Sequence, residues 1–422
     1  MEAIQSSQQV VALDIGTSKI AVAIADVDEH GNACVVGFSK VPAHGVQNGC
    51  IQDVALAVDS IRRALIEAQE MSQRTITSVA VALTGKSLRS QNKIGRLVMQ
   101  DREIDTKSVR QARQLAMTFD SKVDAKTEDE TIVCHLLQGF TLDNDSTVIQ
   151  DPVGMSCHVL NAHAHLAIGS DTIIANLVKC VRRAGVDVEC LVLQPWASAA
   201  CCVTPTEMQL GVVVMDMGAG AIDIACYKDG KIELTAVAPI GGDFLTRDVA
   251  AILYCTLDDA EELKLTYGRI GVRPEDSLEA IRYVYEAGNE GEERELTRDQ
   301  LVRILETRAR ELVDYIVRSF LVPGQWPQKA ASGIVLTGGM SNLPGLAEMI
   351  EQKTGLPVRI GRPKEIKDAP IQLTAPEDAT VMGIFREVHK RRRLNGTKAS
   401  NPRAGFGILG MIKRFFIGDF SS

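Results

Sequence analysis

The chain has 422 residues, 45% hydrophobic and 24% charged, with a net charge of −8 at pH 7; it is too long for one core, and its negative charge argues against nucleic-acid binding. Its ten cysteines show no CxxC or Cys/His metal spacing, which argues against a zinc module or a disulfide framework. No apolar run reaches membrane-spanning length, and Met1 to Gln9 is too short and polar for a signal peptide.

Val10 to Ile24 reads as two strands around the turn Asp14-Ile-Gly16-Thr17-Ser18, and Asp28-Glu-His-Gly31 turns out of the second. A carboxylate at a strand end can hold a metal ion beside a phosphate, and a glycine turn lets backbone N–H groups approach the ligand. Ala33 to Phe38 predicts a third strand. Asp53 to Met71 predicts an amphipathic helix, with Val54, Val58, Ile61, Leu65 and Ala68 on one face. Ser78 to Leu83 is a buried strand ending in Thr84-Gly85-Lys86. From Ser87 to about Asn161 the chain turns polar. This predicts an inserted α+β subdomain with a helix over Thr106 to Phe119, a strand over Thr131 to Gln138 and a turn at Asp151-Pro152-Val153-Gly154. The β/α rhythm then resumes. His158 to His165 is a strand, Asp171 to Ala184 a helix capped by its Asp, Val186 to Leu193 a strand, and Gln194-Pro195 opens a helix. His163 and His165 alternate along their strand without a third ligand and read as structural.

The second half repeats the opening. Val212 to Tyr227 reads as strand, Asp216-Met-Gly218-Ala219-Gly220-Ala221, strand. Laid on the first hairpin, Asp14 matches Asp216, Gly16 matches Gly218 and Ser18 matches Gly220. Two copies about two hundred residues apart imply two similar lobes, each with a phosphate-gripping turn and a nucleotide between them. A third strand runs to about Val237, Gly241-Gly242 leads to a helix near Arg247, and Leu257 to Arg303 reads as mostly helical. Thr297 to Phe320 is a long amphipathic helix. Ala331 to Met340 is a strand ending in Gly338-Gly339, followed by a helix over Leu343 to Thr354 and a strand over Pro357 to Ile360. The last core helix spans Ala379 to His389, and a loop-like basic stretch follows. At about 100° per residue, Ile408, Leu409, Met411, Ile412, Phe415 and Phe416 share one face, while Lys413 and Arg414 lie on the other. That pattern predicts an interfacial helix on an anionic membrane surface.

Together these motifs resemble the actin/Hsp70/hexokinase ATPase superfamily. Within it, the chain is similar to the FtsA family of bacterial cell-division proteins over essentially its whole length. Leu83-Thr-Gly-Lys86, Asp151-Pro-Val-Gly-Met-Ser156, Gly241-Gly-Asp-Phe-Leu-Thr-Arg-Asp248 and Ala260-Glu-Glu-Leu-Lys264 carry the narrower likeness, with the terminal amphipathic helix. The resemblance implies an α/β, two-lobed actin-like fold. Residues 1–86 and 162–205 would form the first-lobe core, 87–161 the inserted subdomain, 206–240 and 305–389 the second-lobe core, and 241–304 its outer subdomain. A flexible linker at 390–406 would lead to the membrane helix at 407–422. It also implies ATP with Mg2+. Asp14 and Asp216 would hold the metal through water, and Gly16, Thr17, Ser18, Gly218, Ala219 and Gly220 would cradle phosphates. Lys19 would reach a phosphate, and Gln194 and Asp223 would orient the attacking water. Gly338 and Gly339 would admit adenine, while Glu261 and Lys264 would contact the nucleoside; without the resemblance these two read as a solvated helical pair.

The implied role is to tether filaments of the tubulin-like protein FtsZ to the inner face of the plasma membrane at the division site. Self-assembly into actin-like filaments and recruitment of later division proteins through the inserted subdomain belong to the same expectation. Asp248, Arg308 and Glu311 would receive the FtsZ C-terminal peptide. The second turn departs from the Gly-Gly-Gly-Thr of many relatives: Ala219 adds a methyl and Ala221 lacks a hydroxyl. Gln194 is also a poor base, so at most slow hydrolysis is expected. A pilus-type adaptor of the same superfamily is an alternative. A sugar kinase is a weaker one, since no carboxylate base facing a sugar pocket is evident.

Overall fold

The computed structural model describes residues 8–30, 32–118, 129–286, 291–364 and 370–395. The first lobe starts from the predicted hairpin. Strands β1 (Gln8–Ile15) and β2 (Lys19–Val27) pair antiparallel, with Asp14 opposite Ala21. β3 (Ala33–Pro42) extends the sheet beside β2. The two-residue strands β4 (Val46–Gln47) and β5 (Cys50–Ile51) then lead to helix α1 (Val54–Ser72). Asp53 caps α1 by accepting from the N–H groups of Ala55 and Leu56, and Val58, Ile61, Leu65 and Ala68 are buried as the periodicity predicts. β6 (Ser78–Leu83) runs parallel to β1.

The stretch after Lys86 is built of strands and a helix, as expected. It holds β7 (Arg89–Val98), α2 (Thr106–Ala116), β8 (Glu130–Leu142) and β9 (Val159–Ser170), with the sheet order β7-β9-β8. This subdomain has its own core, including Ile104, Ala112, Phe140, Leu160, Leu166 and Ile168. β7 escaped the sequence reading because its residues are mostly polar and only partly covered. The chain then returns through α3 (Asp171–Arg183), β10 (Asp187–Leu193) and α4 (Gln194–Cys202), and β10 closes the first sheet as β10-β6-β1-β2-β3. The cap of α3 is Ser170 rather than Asp171: the Ser170 hydroxyl accepts from Ile173 N, and Asp171 is already inside the first turn.

The second lobe repeats this order. After α5 (Pro205–Leu210) come β11 (Val212–Met217), β12 (Ile222–Lys228) and β13 (Lys231–Ala238). Helix α6 (Gly242–Leu253) starts earlier than expected, on the glycine itself, and α7 (Leu257–Tyr267) follows. The expectation of a mostly helical stretch to Arg303 is wrong beyond α7. There β14 (Ala280–Tyr285) and β15 (Glu292–Thr297) form a hairpin whose strands alternate charge with Ile281 and Leu296 in the core. Helix α8 (Arg298–Ile316) is capped by Thr297 and continues as a π-turn to Leu321. α9 (Trp326–Lys329), β16 (Ile334–Thr337), α10 (Leu346–Thr354) and β17 (Val358–Ile360) complete a sheet of order β13-β12-β11-β16-β17.

The last helix, α11 (Ala379–Asn395), is longer than predicted. The basic residues after His389 continue it because Arg392 donates to Glu189 and to Gln9 O, and Arg391 to Leu191 O. Among the described residues no helix is long and apolar enough to cross a membrane. The amphipathic segment, including Ile408, Leu409, Met411, Ile412, Lys413, Arg414, Phe415 and Phe416, lies outside them.

Candidate functional site

The two turns close identically. Gly16 N donates to Lys19 O at 3.0 Å, and Gly218 N donates to Ala221 O at 2.9 Å. A Cβ on either glycine would sit 2.9 Å from that same carbonyl, so both positions exclude a side chain. The turns also meet each other: a Cβ on Gly220 would overlap Thr17 Oγ1. Behind the second turn, Gly242 N donates to Gly218 O at 3.1 Å and Asp243 N to Ala219 O at 2.8 Å. The start of α6 therefore backs the turn.

Three carboxyl groups converge behind the turns, and Asp14, Asp216 and Asp223 are all buried. Asp216 stands opposite Asp223 across the β11/β12 pair. One oxygen of Asp216, Oδ2, accepts from Ser198 Oγ, from Thr380 Oγ1 at 2.9 Å and from Gln194 Nε2 at 3.5 Å. Asp223 Oδ1 accepts from Thr84 Oγ1 at 2.7 Å, while Asp223 Oδ2 and Asp14 Oδ1 are buried without a partner. Burial pushes the Asp14 carboxyl up to about 6; Lys19 opposes the shift and Asp216 adds to it. Burial, helped by Asp216, holds Asp223 well above the usual carboxylate range against the Thr84 hydrogen bond.

Lys19 Nζ donates to Glu377 O at 3.0 Å, and burial pulls its ammonium below the ordinary lysine range. Lys40 and Asn342 hold the Glu377 carboxylate at 3.3 Å and 2.9 Å. In this state, then, Lys19 points at the Pro376–Asp378 turn. Gly338 has φ +80°, and a Cβ there would overlap Asp216 Oδ1, whereas the space beside Gly339 is open. Lys264 Nζ contacts Glu261 Oε2 at 2.6 Å, Thr246 Oγ1 at 2.8 Å and Gly242 O at 3.4 Å. Glu261 and Lys264, on α7, thus brace the start of α6, which backs the second turn.

A separate cluster lies on α6 and α8. Arg308 grips Asp248 with two hydrogen bonds of 2.6 and 2.9 Å and donates to Glu311 at 2.7 Å. Sequence reasoning missed Thr84, Ser198 and Thr380. Ser198 had a signal, since it lies one helical turn after Gln194 and so on the same face of α4. The other two approach the cleft from distant segments.

Two solved structures are similar to this chain over most of its length. The PilM-PilN type IV pilus biogenesis complex matches with a TM-score of 0.60 at 17% identity, over 90% of this chain and 98% of that one. MreB5 of Spiroplasma citri bound to ADP matches with a TM-score of 0.55 at 12% identity, over 92% of this chain and 99% of that one. The paired lobes and facing turns define an actin-like α/β fold.

Sequence comparison narrows this class. A family model described as cell division protein FtsA matches residues 213–383, and one described as an SHS2 domain inserted in FTSA matches residues 85–168. The cell division protein FtsA of Pseudomonas aeruginosa is 32% identical over the full length of both chains. That of Escherichia coli K12 is 31% identical over 96% of each. The chain belongs to the FtsA family of cell division proteins.

Proposed function

We propose that the cleft binds ATP with Mg2+ and that the chain is a nucleotide-set adaptor tethering FtsZ filaments to the inner face of the plasma membrane. The observation that carries the nucleotide is the pair of identically closed turns with the unpartnered Asp14 Oδ1 behind them. Gly16 and Gly218 spend their N–H groups on their own turns. Thr17, Ser18, Ala219 and Gly220 are therefore the residues whose backbone would meet a phosphate.

The metal donors are hard oxygens, which suits Mg2+. Among the described residues no group of three or more His, Cys, Asp or Glu side chains, the three buried carboxyls included, could by itself hold a metal ion. Asp14 and Asp216 alone fit a cation that keeps water and phosphate oxygens in its shell. Bound there, Mg2+ would neutralise phosphate charge. Asp223 is buried with its Oδ1 taken by the Thr84 hydroxyl, so it is poorly placed as a base, and Gln194, an amide, faces Asp216. Both features favour holding ATP over rapid hydrolysis. Gly338 and Gly339 would admit the adenine, with Glu261 and Lys264 near the nucleoside.

The Asp248–Arg308–Glu311 cluster, which joins the outer second-lobe subdomain to the second-lobe core, supplies charge for the FtsZ C-terminal peptide. The inserted subdomain offers an independent surface to later division proteins. Residues 407–422 would anchor the chain, and actin-like self-assembly would array many anchors along a membrane.

Gly220→Val tests the cleft, because its side chain must displace Thr17. Titration with a fluorescent ATP analogue should show affinity lowered by about tenfold or more, the scale of a lost close approach worth ~1.4 kcal/mol. Unchanged affinity removes the cleft from the proposal. Arg308→Glu should weaken binding of an FtsZ C-terminal peptide while leaving ATP affinity alone; equal peptide affinity removes the docking site.

A further inference from the structure

The inserted subdomain docks on the second lobe through side chains rather than a continued sheet. β13 is an edge strand of the second-lobe sheet. Its outer edge is met by three polar side chains of the subdomain. Thr235 N donates to Ser90 Oγ at 2.9 Å, Asn92 Nδ2 donates to Glu233 O at 2.9 Å, and Gln138 Nε2 donates to Ile232 O at 2.6 Å. An edge covered this way can be uncovered without shearing a strand ladder.

At the centre of the seam lies a hydrogen-bond relay of fixed direction. His165, on β9, is fully buried. Its Nδ1 is 2.7 Å from Asn92 Oδ1 and its Nε2 is 2.9 Å from Thr235 Oγ1. Asn92 spends its amide nitrogen on Glu233 O, so its Oδ1 can only accept, and His165 Nδ1 carries the proton. Nε2 of the neutral ring then accepts, and Thr235 donates to it. The Thr235 oxygen in turn accepts from Trp196 Nε1 at 2.9 Å. The relay therefore runs from Trp196 on α4, through Thr235 on β13 and His165 on β9, to Asn92 on β7. One helix of the first lobe, the edge of the second and two strands of the inserted subdomain meet in it. Each donor has one acceptor, so loss of one member leaves buried polar groups stranded.

The same α4 holds the cleft. Two residues beyond Trp196, Ser198 donates to Asp216 Oδ2, and two residues before it Gln194 reaches the same oxygen. A helix of nine residues thus grips the cleft carboxylate on one face and the relay on another.

We propose that α4 is a rocker that couples occupancy of the cleft to the docking of the inserted subdomain, with Ser198 as its cleft contact and Trp196–Thr235–His165 as its output. A ligand that draws Asp216 toward itself pulls Ser198, tilts α4 and strains or relieves the Trp196–Thr235 bond. The class of ligand, a nucleoside triphosphate with a divalent cation, rests on the function proposed above. The joint itself does not.

Amide hydrogen exchange on the full chain separates the two. In the ligand-free protein, Ser198→Ala acts at the cleft end. It should speed exchange of β7 and β9 amides by about tenfold, the effect of roughly one lost hydrogen bond. In a Thr235→Val background, which keeps the side-chain shape and cuts the relay, Ser198→Ala should add nothing to β7 and β9. Thr235→Ser keeps the hydroxyl and should restore the response; a merely steric role for Thr235 would group Ser with the loss of shape instead. If Thr235→Val does not fold, Trp196→Phe cuts the relay at its first donor.

Wild-type β7 and β9 exchange that ignores Ser198→Ala, or a full additive effect in the Thr235→Val background, overturns the coupling. Adding MgATP should shift exchange of these strands in the wild type and not in Thr235→Val, with a fluorescent ATP analogue checking that both bind. Binding with an equal shift in Thr235→Val overturns the coupling as well. A wild type that binds no ATP overturns the nucleotide reading, and the ligand-free cycle still decides the joint.

Discussion

His165 shows how much a single buried side chain can weigh. Its hydrogen-bond partners Asn92 and Thr235 are neutral, and the Trp196 ring lies beside it with centroids 6.3 Å apart. Burial alone pulls its pKa down to about 3. The folded state therefore binds fewer protons than the unfolded chain between about pH 3 and the ordinary histidine value of about 6.5. The stability that neutral His165 contributes is complete above that upper limit and declines as pH falls. By about pH 5 the loss should reach roughly 2 kcal/mol. His165→Gln should flatten this acid limb, and urea midpoints at about pH 7 and pH 5 for both proteins would show it. Parallel losses in the two would mean that His165 is not held neutral. Asp14, Asp216 and their glycines could be read because the motif occurs twice, and each copy supports the other. His165 was read only as structural, because its Thr235 and Trp196 partners arrive from other bodies of the fold. Thr380 was hidden for the same reason, because its acceptor Asp216 is distant in sequence, whereas Ser198 had its place one turn after Gln194 as a signal.

Helices α4 and α11 pack directly on each other beside the Asp216 carboxylate. They cross so closely that a Cβ on Gly383 would overlap the backbone carbonyl of Ala197. Thr380 lies one turn before Gly383, and Ser198 is next to Ala197, so this crossing brings both hydroxyls to Asp216. Two effects of Gly383→Ala oppose each other. Helix propensity favours Ala by about 1 kcal/mol. Overpacking costs about 1–3 kcal/mol, and here the obstacle is backbone, which cannot swing aside. Sterics should win, so Gly383→Ala should lower the urea midpoint and weaken nucleotide binding together. A raised midpoint would show that the helices can part without loss. Elements with strong periodicity, such as α1 and α8, were legible to within a few residues. β7 and the β14–β15 hairpin were not, because their outward faces are charged and their inward residues few. The length of α11 was missed because contacts to Glu189 and Gln9 extend a basic run that reads locally as linker.

Over the whole molecule, charge is divided. Residues 390–422 carry eight Lys and Arg against one Asp, yet the complete chain is net −8. The rest of the chain is therefore more acidic than the total suggests, and an anionic membrane repels it while attracting this C-terminal stretch. Each basic side chain near such a surface is worth about 1 kcal/mol, and apolar residues entering the acyl boundary add to that. The two contributions respond differently to salt. Raising ionic strength from about 0.1 M to about 1 M shortens the screening length from about 10 Å to about 3 Å and leaves apolar insertion intact. Sedimentation with anionic vesicles should therefore weaken steeply with salt but not vanish. Removing residues 407–422 should abolish it at every salt concentration. Lys413→Gln with Arg414→Gln should lower binding by roughly thirtyfold at low salt, about 2 kcal/mol, and converge on the unsubstituted protein at high salt. Self-assembly would multiply these weak anchors, so vesicle binding should also sharpen with protein concentration. Binding that persists after removal of residues 407–422 would place the membrane contact elsewhere on the chain, and salt-independent binding would assign it to the apolar face alone.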